Sequence, residues 1–596
     1  MSTYSVGSMP ESITAASEGF ATSALAFIEG NTAPGLAYGV VFDGKLLLAG
    51  GAGMATIGGQ APDARAIFRI ASMTKSFTAA AVLRLRDAGL LRLELPVADY
   101  VPELSSVALP TSDSRPPTVR DLLTMQPGWA TDDPWADRQE SMQPADYSAM
   151  LSNGFAFNER PGTDFEYSNL GYTILGRVIT NVSGVQYQEY VTTQILRPLG
   201  MNNTGFTLDD VDATLLADGH FKRDEQWHVE PVAPTGEFAP LGGLFSNVED
   251  LALWVTFMCD AFAAGERNAG DEVLSRDSRR EMQQGHRHIF SSVNVDLSAG
   301  PLVMSSPMYG FGLMNAPTPR FGTTVGHSGG YPGYGTHMVW HPVTGVGAIA
   351  LSNGRYGGAY RVATQMLREL LIASDAPSRV ISPTSATKSA FIHVNRLLVQ
   401  WDDAAADALF SPNVDEDEPR AHRVQALAEQ IAKLGGITGP AEQISGTAAS
   451  HLVWWVPCAT GRLRVEIRLA PQAQQKVQTL NLRAVPHPSA ELATTARLVV
   501  EGLFDGDAWP LIVAIADDLD TSTVLQMASV MRAFESTVEL APLPTSADSS
   551  TSATFRVKGG AMSYELALSI DDSSQATKVS LTMVALTSDD NALVRM

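Results

Sequence analysis

Cysteine is nearly missing from this chain: 596 residues hold two, Cys259 and Cys458. A disulfide framework is therefore not expected, and both read as buried free thiols. Long apolar runs are missing too. None approaches the roughly eighteen residues of a membrane-spanning helix, so no membrane partner is expected. Basic charge is in deficit, with Lys plus Arg 41 against Asp plus Glu 64 and a net charge of −23. A surface of that sign repels phosphate backbones, which argues against a nucleic-acid partner. The opening "MSTYSVGSMPESITAASEGF" lacks a basic n-region and an apolar h-region, so no signal peptide is read and a cytoplasmic location is expected. Metal-ligand spacing is also absent: His286 and His288 have no carboxylate beside them, and neither a metal nor another cofactor is expected.

What remains is the composition of a globular protein, 45% hydrophobic and 18% charged. The length predicts two or more domains. A helix is expected from about residue 10 to 30, then a β-hairpin turning at Asp43-Gly44 between "LAYGVVF" and "KLLLAGGAG". Helical patterns cover 74–89, 119–126, 171–183 and 248–262. Strand-like runs return in "YGFGLM", "TTVGHSGG" and "HMVWHPVTGVGAIALSN", followed by a helix at about 358–373. Strands at both ends with helices between them imply an α/β (α+β) domain whose antiparallel sheet is built from the two ends of the segment.

The Pro/Ser/Ala-rich stretch "SDAPSRVISPTSATKSA" breaks the periodicity. It sets the expected boundaries: 1–378 as the first domain, 379–388 as a linker, then 389–486 and 487–596 as two small α+β subdomains. The last two resemble each other at an offset of about 101 residues. Arg396-Leu397-Leu398-Val399 matches Arg497-Leu498-Val499-Val500, and "LNLRAV" matches "LTMVAL". Each copy reads as two helices around an acidic loop and then three strands. Covering a cleft and making a homo-oligomer contact both remain open as their role.

Lysine is scarce, eight in the whole chain, yet Lys75 stands three positions after Ser72 in "IASMTKSFTAAAVLRL". On a helix that spacing puts both side chains on one face, where a buried neutral amine can take the proton of the hydroxyl. The motif alone is weak, since Ser385-x-x-Lys388 repeats it in the expected linker. Its company is what argues for catalysis. Tyr167-Ser168-Asn169 supplies a phenol for proton transfer and an amide for lysine or substrate. His327-Ser328-Gly329-Gly330 supplies a strand whose glycines admit a substrate backbone, with the Gly330 N–H as an oxyanion donor beside that of Ser72. Singly, Tyr167 reads as a half-buried ring and His327 as a strand histidine.

Together, in this order, Ser72-Met-Thr-Lys75, Tyr167-Ser-Asn169 and His327-Ser-Gly329 resemble the class C β-lactamase-related serine hydrolases. That group, the S12 peptidases, includes penicillin-binding D-Ala-D-Ala carboxypeptidases, D-aminopeptidases and esterases. The resemblance runs over about residues 20–375 and includes "LLTMQPGW", "LGGLFSNVEDLALWV" and "YGFGL". It implies a five-stranded antiparallel sheet packed against a helical subdomain, a covalent acyl-enzyme and no metal. By the same resemblance Ser72, Lys75 and Tyr167 are catalytic, and Asn169, His327, Gly329, Gly330, Gln126 and Tyr331 line the substrate site. Trp129, Trp135 and Tyr334 fall in loops that would border it. Where many relatives have Lys-Thr-Gly this chain has His327-Ser-Gly, and an imidazole grips a carboxylate less firmly than an ammonium does. Hydrolysis of small esters or peptide-like amides is therefore expected ahead of β-lactam or DD-carboxypeptidase chemistry, the substrate being a small molecule or short peptide. The competing reading is a hydrolase-shaped scaffold that has lost its chemistry.

Overall fold

The computed structural model describes residues 16, 19–133, 135–263, 270–294, 303–318, 320–506, 516, 521–560, 562–584 and 592–596. The chain divides into two compact units, the first formed mainly by residues up to Ala376 and the second mainly by Pro377–Met596.

In the first unit, β1 (Gly35–Phe42) and β2 (Lys45–Gly53) form the expected hairpin. Asp43 and Gly44 both take positive φ (47° and 75°), as a two-residue turn of matching twist requires. Three later strands, β3 (Gly322–Tyr331), β4 (Tyr334–His341) and β5 (Val346–Ser352), complete the sheet in the order β2-β1-β5-β4-β3. The pairings described are antiparallel. Every residue of β1, β4 and β5 is buried, which is why they read as continuous apolar runs, whereas the edge strand β2 alternates between exposed and half-buried positions. The five strands implied by the resemblance extend to eight: Met314–Thr318, Met308–Tyr309 and Arg287–His288 continue the sheet beyond β3. These short pieces cover an edge whose unpaired N–H and C=O groups would otherwise be bare.

The helical side is built around α1 (Thr74–Asp87). All but three of its residues are buried, so it is covered on nearly every face rather than on one stripe. It packs on α2 (Asn169–Ser183) and on the turn Ala239–Gly242. Ser168 caps α2 by accepting the Gly171 N–H at 3.0 Å, and Gly184 ends it with φ 73°. Helices α3 (Val248–Cys259) and α4 (Ala359–Ala373) pack on β4 and β5. The single-turn segment Ala71–Met73, which leads into α1, contacts β4 and so lies where the sheet meets the helices.

In the second unit, helices Ser385–Val399 and Arg420–Lys433 accompany a sheet of four strands, Glu442–Ala448, His451–Cys458, Gly461–Leu469 and Val477–Pro486, around Val394, Trp454 and Leu463. Helices Ala490–Phe504 and Ser522–Phe534 accompany a second sheet around Val499, Phe555 and Leu566. The first sheet thus has one strand more than the three expected. The stretch expected as a linker is also structured. Arg379–Ile381 pairs in parallel with Ala592–Val594, and Thr384 caps a helix beginning at Ser385. The Pro/Ser composition that suggested a linker reflects a strand end and a helix cap.

Candidate active site

Ala71 precedes Ser72 in a left-handed conformation (φ 52°), a strained geometry for a residue with a Cβ. The turn is held from the sheet side. Thr336 donates from Oγ1 to the Ile70 carbonyl at 2.9 Å, and Gly329 lies so close that a Cβ on it would stand 2.3 Å from that same oxygen. Gly329 is glycine because the strand passes directly against the segment that presents Ser72.

Lys75 is fully buried, and its Nζ has three partners: Ser72 Oγ at 2.9 Å, Asn169 Oδ1 at 2.6 Å and the Leu241 carbonyl at 2.8 Å. Burial pulls its pKa down to about 8, against the carboxylates of Asp133, Asp137 and Asp132, which support the charged form. A neutral amine has two N–H bonds and one lone pair. Asn169 and Leu241 offer only oxygens at the distances measured, so the two N–H bonds go to them and the lone pair faces Ser72. Asn169 is oriented in turn by donating from Nδ2 to Asp133, while Asp132 accepts the N–H groups of Asn169 (2.8 Å) and Leu170 (2.6 Å) at the start of α2. The Tyr167 hydroxyl lies near enough to the Ser72 side chain to interact with it. Burial and then the Asp133 charge raise the phenol's pKa well above its ordinary 10, so it is a neutral proton donor and not a phenolate.

Ser72, Lys75, Tyr167 and Asn169 therefore meet, with Gly329 behind them. In a two-residue hairpin the pair closing the turn, Tyr331 with Tyr334, is the hydrogen-bonded one, which leaves Gly330 opposite Gly335 as a non-bonded pair with its N–H directed away from β4. Other expectations are met differently. His327 is 1% exposed; its Nδ1 donates to the Ser328 carbonyl at 2.6 Å and its Nε2 accepts from the Tyr309 hydroxyl at 3.0 Å. Burial, with the nearby Lys75 charge, lowers its pKa to about 3. Both nitrogens are occupied, so the imidazole has nothing to give a carboxylate. Tyr331 does not line the site: it is buried, its ring lies 4.8 Å under the Arg69 guanidinium, and its hydroxyl turns to Glu140. The two-residue period of β3 points Tyr331 to the Gly329 face, which Arg69 and Glu140 already fill. Gln126 bonds Thr124 with its side chain (2.8 Å) and receives the Gly162 N–H on its carbonyl. Of the bordering aromatics, Trp129 and Tyr334 are buried, Tyr334 donating to the Ala217 carbonyl, and Trp135 is exposed.

Several participants were missed. Asp132, Asp133 and Asp137 sit in "TDDPWAD", whose acidity was the available signal; Tyr309 lay within a noted landmark; the Leu241 carbonyl leaves no trace in residue type. The second Ser-x-x-Lys shows the contrast: Ser385 is exposed on its helix and no hydrogen bond joins it to Lys388. Among the described residues no group of three or more His, Cys, Asp or Glu could hold a metal.

The Beta-lactamase family profile matches residues 24–372. Protein flp of Staphylococcus aureus (strain NCTC 8325 / PS 47) is 26% identical over 331 residues, covering 54% of this chain and 59% of its own length. Beta-lactamase-like protein 2 of Dictyostelium discoideum is 31% identical over 198 residues, 32% of this chain and 35% of its own. This chain thus spans less than two thirds of either relative. Among solved structures, the octameric penicillin-binding protein homologue from Pyrococcus abyssi aligns with a TM-score of 0.51 at 19% identity, over 95% of this chain and 98% of that one. At that identity the likeness is one of fold.

Proposed function

The chain belongs to the Beta-lactamase family, and from that premise we propose that it is a serine hydrolase acting through a covalent acyl-enzyme on small carboxylic esters or peptide-like amides of the D-amino-acid type. Ser72 attacks the carbonyl carbon as its proton passes to the Lys75 lone pair. The carbonyl π pair moves onto oxygen, where the N–H groups of Ser72 and Gly330 receive it. When the C–O or C–N bond breaks, the leaving group takes a proton from the Tyr167 phenol, and the Lys75 ammonium, whose Nζ lies 5.2 Å from the Tyr167 ring centroid, returns the proton it took from Ser72 to the phenolate. Water then attacks the acyl-enzyme by the same route, releasing the acid and restoring Ser72.

The observation that carries this reading is the bonding around Lys75: two oxygens hold its N–H bonds and leave a lone pair 2.9 Å from Ser72 Oγ. The occupied, uncharged His327 favours esters and amides over β-lactams or DD-peptides, whose carboxylate would need a cation there. Assaying p-nitrophenyl esters, D-amino-acid amides and nitrocefin with wild type and Ser72→Ala tests it. Ester or amide turnover that disappears in Ser72→Ala supports the reading. Turnover of nitrocefin alone shifts it to a β-lactamase, and inertness towards all three returns the chain to a binding scaffold.

We also propose that residues 389–486 and 487–596 are a duplicated pair and that the chain forms a homo-oligomer. The alignment with an octameric homologue over nearly the whole chain supports the oligomer, and light scattering on the intact protein tests it. Among the described residues no helix is long and apolar enough to cross a membrane.

A further inference from the structure

The charges facing the proposed nucleophile are unbalanced. Besides Lys75, its surroundings include no free cation among the described residues. Arg69 pairs with Glu140, while Arg138 and Arg355 both pair with Glu230. His327 is uncharged and fully bonded. Of the three carboxylates that act on Lys75, Asp132 is neutralised at the N-terminus of α2, where both its oxygens accept backbone N–H groups. Asp133 is exposed and holds Asn169.

Asp137 is the unmatched one. It lies in the turn Ala136–Arg138, is 4% exposed, and has no Lys or Arg within ion-pair distance among the described residues. Its carboxylate accepts one hydrogen bond there, from the Tyr356 hydroxyl to Oδ2 at 2.8 Å. Tyr356 is itself held at positive φ (50°) and lies over Gly330: a Cβ on Gly330 would stand 2.7 Å from its ring. Asp137 also feels the charge of Lys75 and acts on Tyr167. The tyrosine end of this Asp137–Tyr356 bridge thus lies against the proposed oxyanion donor, and the aspartate end is near enough to the proposed general base for the two charges to interact. A carboxylate that is more than nine-tenths buried and has no countercharge is costly unless a ligand brings one.

We propose that Asp137, presented by Tyr356, is the specificity residue of this site and takes the primary ammonium of a substrate whose free amine is next to the scissile carbonyl, an aminoacyl ester or amide. The inference rests on the serine-hydrolase reading and deepens it. An N-acylated or N-succinylated substrate would leave the Asp137 carboxylate buried and unpaired, and a succinate would add a second negative charge.

The test compares alanine p-nitroanilide and alanine methyl ester, in D and L forms, with their N-acetyl counterparts. In parallel, phenethylamine and 3-phenylpropionate compete against fluorophosphonate labelling of the intact protein. The wild type is expected to favour the free amine by about 10- to 100-fold in kcat/KM, the range of one charge-assisted hydrogen bond. The amine, and not the acid, is expected to protect Ser72. In Asp137→Asn the free-amine to N-acetyl ratio falls towards one. A global effect on folding or on Lys75 changes both rates and cancels in that ratio, and the competition in wild type needs no variant. Equal rates in wild type, an unchanged ratio in Asp137→Asn, or protection by the acid overturns the inference while Ser72 labelling still stands. Loss of labelling itself overturns the hydrolase reading instead.

Discussion

The pH dependence of kcat/KM on a neutral p-nitrophenyl ester reports the proton on Lys75 in the free enzyme. An ordinary lysine at 10.5 would be neutral in about one molecule in 3,000 at pH 7; with the value pulled down to about 8 the fraction is about one in ten. The ratio, about 300-fold, corresponds to about 3 kcal/mol of preference for the amine, supplied by removing Nζ from water. The neutral form is the base, so the rate rises with pH, about tenfold per unit below pH 8, and levels above it. Replacing Asp133 by Asn keeps the shape beside Asn169 and removes the largest of the charges supporting the ammonium. The midpoint then moves down by about 0.5–1 pH unit, a modest value because Asp133 is exposed and screened. A flat profile between about pH 6 and 10, a midpoint near an unperturbed lysine, or an upward move in Asp133→Asn refutes the assignment of Lys75 as general base.

Other substitutions probe the parts around it. Tyr167→Phe removes the proton donor beside Ser72 and is expected to lower ester kcat by about 10²- to 10⁴-fold, measured as steady-state release of p-nitrophenol. Gly329→Ala puts a methyl 2.2 Å from Thr336 Oγ1 and 2.3 Å from the Ile70 carbonyl. The turn carrying Ser72 must then shift, and kcat falls about 100-fold or more with the thermal midpoint lowered. Glu140→Ala leaves the Arg69 guanidinium, 1% exposed, without its carboxylate 3.5 Å away. The expected loss is about 3 kcal/mol in chemical denaturation of the first unit, because an uncompensated buried charge costs more than the pair contributed.

The residues that meet around Ser72 were legible because their chemistry is carried by residue type and spacing: one turn of helix separates Ser72 from Lys75, and Tyr167 and Asn169 flank the cap of α2. Gly329 and the hairpin at Asp43-Gly44 were legible for the same reason, since few residues tolerate those backbones. Tyr331 misled because a strand residue next to a glycine pair faces the cleft or the interior by alternation alone, and nothing local announces that Arg69 and Glu140 fill the interior side. His327 was seen as a weak carboxylate ligand, but burial and the Lys75 charge keep it neutral, and Tyr309, a partner from another strand, occupies its Nε2. Beyond β3, "YGFGLM" was legible as strand-like and spans the turn between Met308–Tyr309 and Met314–Thr318, whereas Arg287–His288 is two residues long, too short for a period to register. Residues 379–388 looked like a linker because a strand end followed by a Thr384 cap has a linker's composition.

The most direct measurement is the site of the adduct after fluorophosphonate treatment of the intact protein, mapped by peptide mass. The chain carries its own comparison in Ser385-x-x-Lys388, identical in pattern but exposed and without the phenol, the amide and the buried amine. The expected result is one adduct, on Ser72, lost in Ser72→Ala together with ester turnover. An adduct on Ser385 as readily as on Ser72, or turnover that survives in Ser72→Ala, contradicts the account.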